Sequence, residues 1–202
     1  MTRAPETLVL SGPALADALA DLAALRIAVF REWPYLYEGD LQYEHSYLEP
    51  FAKSPNAVLV GAFDQGKLVG AATGMPLLEH ADDFASAFAQ TDIDVSQVFY
   101  CAESVLLTRY RGQGIGHRFF DLREATARLQ GHSQSAFCAV VRPSDHPARP
   151  AGYRPLDSFW RARGYQPLKN VVAHFGWKDI GDCVDTRKPL QFWARDLLAR
   201  KD

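Results

Sequence analysis

Three glycines separated by single residues lie in the segment Arg111-Gly112-Gln113-Gly114-Ile115-Gly116. A mostly apolar run, residues 97–107, precedes this segment, and an amphipathic run, residues 117–129, follows it. The segment should therefore link a strand to a helix. Glycine lets a ligand approach the backbone closely, and the start of a helix offers unpaired N–H groups and a positive dipole end. The segment therefore predicts a site for an anion.

Two common phosphate-binding signatures do not fit this spacing. A P-loop requires Gly-Lys followed by Ser or Thr, whereas this chain has Gly114-Ile115 at that point. The dinucleotide fingerprint, counted from Gly112, requires its third glycine where His117 stands, and no acid lies near the usual ribose position about 20 residues further on. Both signatures are excluded by particular residues.

The motif Arg111-x-x-Gly114-x-Gly116 resembles the Gln/Arg-x-x-Gly-x-Gly/Ala motif of the GCN5-related N-acetyltransferase (GNAT) superfamily. The resemblance extends to Tyr110, to the Phe159-Trp160-x-x-x-Gly164-Tyr165 segment and to Phe192-Trp193, and so covers about residues 57–197. A glycine-rich turn that only connects a strand to a helix is the alternative.

The resemblance implies that acetyl-CoA is a co-substrate and that no metal takes part. It places the coenzyme A pyrophosphate on the backbone of Arg111, Gly112, Gln113, Gly114, Ile115, Gly116 and His117. It also implies that the main chain of Leu106 pairs with the pantetheine amides.

Glu103 interrupts the otherwise nearly apolar run 97–107. Burial of an unpaired charge in a strand is costly, which favours a functional carboxylate. An alkyl ammonium has a pKa of about 10 and must lose a proton before it can attack a thioester. Glu103 is therefore the predicted catalytic base. A structural ion pair with Arg109, Arg142 or another cation is the alternative.

The strand pattern also predicts the direction in which Glu103 faces. Strict period-two alternation places two sets of residues on opposite faces, namely Cys101, Glu103 and Val105 against Tyr100, Ala102, Ser104 and Leu106. Several family members carry the basic carboxylate one residue earlier, where this chain has Ala102. A β-bulge would restore the facing.

A general acid for the leaving thiolate is harder to assign. Many family members have a tyrosine where this chain has Trp160, which has no acidic hydroxyl. Tyr153 or Tyr165 could replace it, or the thiolate, with a reference pKa of about 8.5, could leave without help.

Residues 32–50 mix aromatic and acidic side chains. The resemblance places the acceptor pocket here, between the first two helices, and acids beside aromatic faces suit a cationic amine. The predicted acceptor-binding residues are Tyr35, Glu38, Asp40 and Arg142. A polyamine, an amino sugar or an amino acid derivative would fit. A solvated acidic helix whose tyrosines pack on the core is the alternative.

The hydrophobic pattern gives the order of the elements. It predicts helices over 13–31, with Ser11 as N-cap, within 32–50, over 117–129 and over 157–163, a weaker helical patch over 77–90, and strands over 57–63, 67–75, 97–107, 135–141, 170–177 and 189–195. Pro189 would suit an edge strand. The expected fold is one α/β domain over residues 1–202, with a mixed, mostly antiparallel, GNAT-like sheet flanked by helices. Residues 1–56 would form a helical acceptor-side segment and residues 57–197 the sheet core.

The composition limits the function classes. The 202 residues include 22 basic and 24 acidic side chains, which gives no basic surface for nucleic acid, and no apolar run of about 18 residues suggests a membrane span. Cys101, Cys138 and Cys183 fit reduced thiols, and neither Cys-x-x-Cys nor a paired-histidine metal motif occurs. We expect a cytoplasmic monomer or homodimer.

The predicted function is transfer of an acetyl group from acetyl-CoA to an amine of a small cationic molecule. Trp160 and the offset of Glu103 leave open a non-catalytic coenzyme A-binding sensor or partner module. An acetyltransferase for protein lysines or N-termini is a further alternative, and it would need an open peptide groove.

Overall fold

The computed structural model describes residues 4–80, 84 and 87–198. In chain order its elements are β1 (Glu6–Leu10), α1 (Gly12–Phe30), α2 (Leu41–Lys53), β2 (Val58–Asp64), β3 (Lys67–Pro76), β4 (Val98–Leu106), α3 (Ile115–Leu129), β5 (Gln134–Val140), α4 (Asp157–Ala162), β6 (Gln166–Trp177) and β7 (Thr186–Asp196). Short 3-10 turns occupy Leu77–His80, Val95–Gln97 and Thr108–Tyr110. None of the helices in the described ranges is long and apolar enough to cross a lipid bilayer.

The seven strands form one sheet in the order β1-β2-β3-β4-β5-β7-β6. Only β4 and β5 run parallel, so the predicted mixed, mostly antiparallel sheet is confirmed. These two strands pair only at Val98, Phe99 and Tyr100 of β4, although β4 continues to Leu106. A gap therefore opens in the middle of the sheet between β4 and β5.

Helices cover both faces of the sheet. On one face, α1 and α2 pack over β3 and β4 through Leu15, Leu22, Leu48, Phe51 and Met75. On the other face, α3 and α4 pack through Phe99, Phe119, Phe120, Phe137 and Trp193 together with Phe159 and Trp160. Removal of these side chains from water drives the two layers onto the sheet, at about 1.5–3 kcal/mol for each fully buried large apolar side chain.

Two details differ from the predicted elements. Strand β1 was not predicted, so the segment 1–56 also contributes one edge strand to the sheet. Pro189 does not lie in an edge strand, because β7 runs between β5 and β6. The carbonyl of Pro189 accepts from Val141 N–H, just past the end of β5, so the proline lies where the pairing of β5 with β7 ends.

Smaller differences concern element ends and caps. Ser11 occupies the N-cap position of α1, but its side chain makes no capping hydrogen bond. Helix α3 begins two residues earlier than predicted and β6 four residues earlier. The predicted patch 77–90 contains a 3-10 turn at Leu77–His80 and helical residues at 84, 87 and 88, and the remainder of its helical part lies outside the described residues.

Candidate active site

Strand β4 carries a bulge at the predicted base. Ala72 pairs with Ser104 and Gly74 with Cys101, so Ala102 and Glu103 together face the one residue between Ala72 and Gly74 on β3. The extra residue turns Glu103 to the α1 side, where it joins Tyr100 and Ala102. The prediction that Glu103 and Cys101 face the same side of the sheet is therefore wrong. The bulge shifts the facing of Glu103 by one residue, which strict alternation does not allow.

A buried arginine on α3 fixes this bulge from the opposite face. Arg123 Nη1 donates to the carbonyls of Thr73 (3.1 Å) and Glu103 (2.9 Å), and Nη2 donates to Ser104 Oγ (2.9 Å). Its side chain is 1% exposed. The backbone beneath Glu103 is thus tied to α3 by charge-assisted hydrogen bonds.

Glu103 belongs to a group of three buried charges that we call the Glu103 cluster, formed by Arg26, Glu44 and Glu103. Arg26 Nη1 lies 2.7 Å from Glu103 Oε2, and Arg26 Nε lies 2.5 Å from Glu44 Oε2. Thr73 Oγ1 donates to Glu103 Oε1 at 2.6 Å. With one guanidinium and two carboxylates, the cluster carries one excess negative charge. Glu44 Oε1 has no hydrogen-bond partner among the described residues.

The cation that pairs with Glu103 is Arg26, which interrupts the apolar pattern of α1. Glu103 thus forms the ion pair that is the alternative to a purely catalytic role, with a cation other than Arg109 or Arg142. Burial lowers the pKa of Arg26, while the charges of Glu103 and Glu44 raise it, and the net pKa lies above its ordinary value. Arg26 therefore stays charged and holds both carboxylates in place.

A pocket that opens to solvent lies beside the Glu103 cluster, and it measures about 580 Å³ when the solvent at its mouth is included. Its wall contains Arg26 and Glu103, the apolar rings of Phe30, Phe175 and Trp177, and five tyrosines: Tyr35, Tyr37, Tyr43, Tyr47 and Tyr100. Burial raises the pKa of Tyr47 and Tyr100 well above the ordinary value, so both hydroxyls keep their protons at neutral pH. The pocket therefore combines aromatic faces, hydroxyl donors and a carboxylate.

The four predicted acceptor residues are only partly at this pocket. Tyr35 lines it, but Glu38 and Asp40 do not. Asp40 instead caps α2, since its Oδ1 accepts from Tyr43 N–H at 2.8 Å. Asp40 therefore faces the backbone at the start of α2 rather than the cavity.

Arg142 also lies outside the pocket wall, and its guanidinium bonds within the protein. Its Nη1 and Nη2 donate to both oxygens of Asp179 (2.6 and 2.9 Å), Nε donates to Pro34 O and Nη2 to Tyr35 O. This clamp holds the α1–α2 connection to the end of β6. It positions Tyr35 against Phe30 and Trp177, whose rings lie 4.3 and 5.9 Å away.

The glycine loop leads from the β4 end into α3. Gly112 and Gly114 have φ values of +75° and +81°, which strain any residue with a Cβ, and a Cβ at either position would meet nothing within 4 Å. Among the described residues, none accepts a hydrogen bond from the N–H groups of residues 112–116. Five free donors at the start of a 15-residue helix fit a pyrophosphate.

The remaining predicted cofactor residues have internal partners. His117 N–H donates to Gly114 O at 3.0 Å, so it is not one of the free N–H groups at the start of the helix. Arg111 Nη1 pairs with Glu32 at 2.9 Å, and its Nε donates to Leu106 O at 3.1 Å. The side chain of Ile115 is buried. Leu106 O thus already accepts one hydrogen bond, from Arg111, and its second lone pair can accept another from a pantetheine amide.

Residues 22–151 match the model of the acetyltransferase (GNAT) family. The match spans well over half of the chain. This protein belongs to the GNAT acetyltransferase family. The resemblance seen in the sequence is thereby confirmed, and with it acetyl-CoA-dependent acyl transfer as the general activity of the family.

Solved N-acetyltransferases share the GNAT fold of this chain at low sequence identity. A ribosomal-protein-alanine N-acetyltransferase from Brucella melitensis superposes with a TM-score of 0.58 and 15% identity, over 94% of this chain and 99% of that chain. The PaiA N-acetyltransferase from Thermoplasma acidophilum, solved in complex with coenzyme A, gives 0.55 and 14%, over 96% and 99%. At such identities the likeness establishes the fold. No curated protein matches the chain significantly.

The residues considered as the general acid of this GNAT protein do not line the pocket. Trp160 packs on Phe137 and Trp193, and Tyr153 contacts Trp33. Tyr165 is buried on the α3 face, where its hydroxyl bonds to Ser135 and Glu124. A different hydroxyl lies near the gap between β4 and β5: Tyr100 Oη is 3.5 Å from Cys138 Sγ. Within the described ranges, no three His, Cys, Asp or Glu side chains gather as they would to hold a metal ion.

Proposed function

We propose that this protein transfers the acetyl group of acetyl-CoA to the amine of a small cationic molecule bound beside the Glu103 cluster. The observation that carries the proposal is the excess negative charge of this cluster at the wall of an aromatic pocket. A carboxylate next to aromatic faces attracts an ammonium group and can then accept its proton.

Glu103 takes the proton of the bound ammonium. Its Oε2 faces Arg26 and Tyr47, and its Oε1 faces Thr73, so the carboxylate is held by three donors on α1, α2 and β3. Arg26 acts as a positioning residue because it bonds to Glu103, and Glu44 does so because it bonds to Arg26. A positioned general base contributes a rate factor of roughly 10²–10⁴.

The backbone of residues 112–116 binds the coenzyme A pyrophosphate with its five free N–H groups. The open edges of β4 and β5 beyond Tyr100 can pair with amides of the pantetheine arm. Acetyl-CoA supplies the thioester whose C–S bond breaks as the new C–N bond forms.

Tyr100 supplies the proton that the departing sulfur needs. Its hydroxyl contacts a sulfur atom, that of Cys138, at the position where β4 and β5 separate. Burial raises the pKa of Tyr100 and keeps this proton in place. Tyr100 would thus take the role of the tyrosine that many family members have where this chain has Trp160.

The proposal is tested by calorimetric titration with coenzyme A and by thiol release from acetyl-CoA with a mixture of small amines. We expect micromolar binding and amine-dependent thiol release. Gly114→Ala should weaken coenzyme A binding at least tenfold. Gly131→Ala is the matched control, because Gly131 follows the other end of α3 with a φ of +84° and open space around it.

Each outcome separates the proposal from its alternatives. Coenzyme A binding without turnover of any amine would favour the non-catalytic module. Turnover of basic peptides but not of small amines would favour a protein acetyltransferase. Absence of coenzyme A binding by the folded protein would contradict the proposal at its first step.

A further inference from the structure

The charges at the pocket wall can neutralise one positive charge on a ligand, but not two. Of the thirteen described residues that line it, eight are aromatic and only Arg26 and Glu103 are charged. Arg26 already bonds to Glu44 and Glu103, so the single excess negative charge of the cluster is what remains for a ligand. One ammonium group placed at Glu103 neutralises it.

A second ammonium group would find no free carboxylate at this wall. Asp40 caps α2, and Asp179 lies between Arg142 and Lys188 at 2.6 and 3.1 Å. A second cation in the pocket would therefore lose its hydration without gaining an anion, which is costly. Polyamines are disfavoured for this reason.

A carboxylate on the acceptor is disfavoured by the same charges. It would bring a third negative group next to one guanidinium, and Glu44 Oε1 already lacks a hydrogen-bond partner among the described residues. Like charges at such close range raise the free energy of the bound state. Amino acids should therefore bind more weakly than the corresponding decarboxylated amines.

The body of the acceptor meets mainly ring faces. The hydroxyls of Tyr37, Tyr47 and Tyr100 contact Asp40 N–H, Glu103 and Cys138 within the protein. The rings of Phe30, Tyr35 and Trp177 follow one another along the wall, each tilted against the next. Such a surface binds an apolar or aromatic group through burial and ring contacts, and it offers little to a sugar.

We propose that the acceptor is a primary monoamine with an aromatic or other apolar body, its ammonium at Glu103 and its body among the rings. This inference rests on the proposed function, because it names the acceptor of that same site. An arylalkylamine is the simplest compound of this class.

Two matched pairs of amines test the inference in the thiol-release assay. 2-Phenylethylamine and phenylalanine differ by one carboxylate, and pentylamine and 1,5-diaminopentane differ by a second ammonium. We expect kcat/KM to be at least about 100-fold higher for 2-phenylethylamine than for phenylalanine, and at least about tenfold higher for pentylamine than for the diamine. Equal or reversed ratios would overturn the inference and leave the proposed function standing, whereas no turnover with any amine would overturn both.

A variant sharpens this test by adding the missing second carboxylate. Tyr43 is a partly exposed residue of the pocket wall in the first turn of α2, where an acid is compatible with the helix dipole. Tyr43→Glu should raise the ratio of 1,5-diaminopentane to pentylamine turnover at least about tenfold. Leu129→Glu, which adds the same charge at the exposed end of α3, should leave the ratio unchanged. An unchanged ratio in Tyr43→Glu would count against the charge argument.

Discussion

Two groups of buried charges lie on opposite faces of the same sheet. The Glu103 cluster faces α1 and α2 and has two carboxylates for one guanidinium. The second group, which we call the Glu124 cluster, consists of Glu124, Arg163 and Arg195 on the α3 face. Both oxygens of Glu124 are occupied, Oε1 by Arg163 (3.2 Å) and Tyr165 (3.1 Å) and Oε2 by Arg195 (2.8 Å).

The difference between the clusters shows what distinguishes a functional group of charges from a structural one. Burial and ion pairing are common to both. Only the Glu103 cluster combines an excess negative charge, a carboxylate oxygen without a partner among the described residues, and contact with a cavity. A buried ion pair alone is weak support for function, since many only fix packing.

The largest effect on kcat is expected in the Glu103 cluster, to which the comparison assigns catalysis. Glu103→Gln should lower kcat by roughly 10²–10⁴ at pH 8, because the amide cannot accept the proton of the ammonium. Coenzyme A binding should change less than threefold, as measured by calorimetry. A kcat within threefold of the wild type would remove Glu103 as the base.

The same Glu-to-Gln substitution in the Glu124 cluster should lower the free energy of unfolding. Glu124→Gln leaves Arg163 and Arg195 without their shared anion and should cost about 3 kcal/mol of the free energy of unfolding, measured by urea titration. At temperatures where the variant is folded, its kcat should stay within about threefold of the wild type. A loss of kcat as large as that of Glu103→Gln would erase the distinction between the clusters.

A pair of tyrosines offers a finer comparison. Tyr100→Phe should lower kcat about tenfold, because the leaving thiolate has a pKa low enough to depart partly without help. Tyr165→Phe removes a hydroxyl from the Glu124 cluster and should change stability by about 1 kcal/mol but not kcat. Equal activities of the two variants would exclude Tyr100 as the acid.

The smallest effect concerns the thiols. Burial raises the pKa of Cys138 to about 12, so its thiolate fraction at pH 8 is about 10⁻⁴. The sign of this shift predicts a protonated, unreactive Cys138, whereas exposed Cys183 should react freely. Iodoacetamide treatment followed by peptide mapping should label Cys183 first. Rapid labelling of Cys138 would mean that the pocket wall is more open than described.

The sequence predicted the parts of the molecule that depend on contiguous residues. The glycine loop, α3 and the β2–β3 hairpin have local patterns of glycine, turn residues and apolar periodicity, and all three are present. Strand β1 escaped prediction because its apolar run, Leu8–Val9–Leu10, is too short to stand out and half exposed.

The centre of the site could be predicted only in part. Glu103 was found because a carboxylate in an apolar strand is conspicuous. Its partners were not, since Arg26 is 77 residues away and meets Glu103 only when α1 packs over β4. The bulge at Ala102 depends on hydrogen bonds from Arg123 across the sheet, which no local pattern encodes. The Arg142–Asp179 clamp likewise depends on a tertiary contact, whereas the cap that Asp40 provides is local, since it bonds to Tyr43 only three residues along the chain.

A crystal structure of the protein with coenzyme A and 2-phenylethylamine would test the account most directly. The account predicts the amine nitrogen within hydrogen-bonding distance of a Glu103 carboxylate oxygen, the phenyl ring against Tyr35 and Trp177, and the pyrophosphate on the N–H groups of residues 112–116. An amine bound away from the Glu103 cluster, or a pyrophosphate bound elsewhere than the glycine loop, would contradict it.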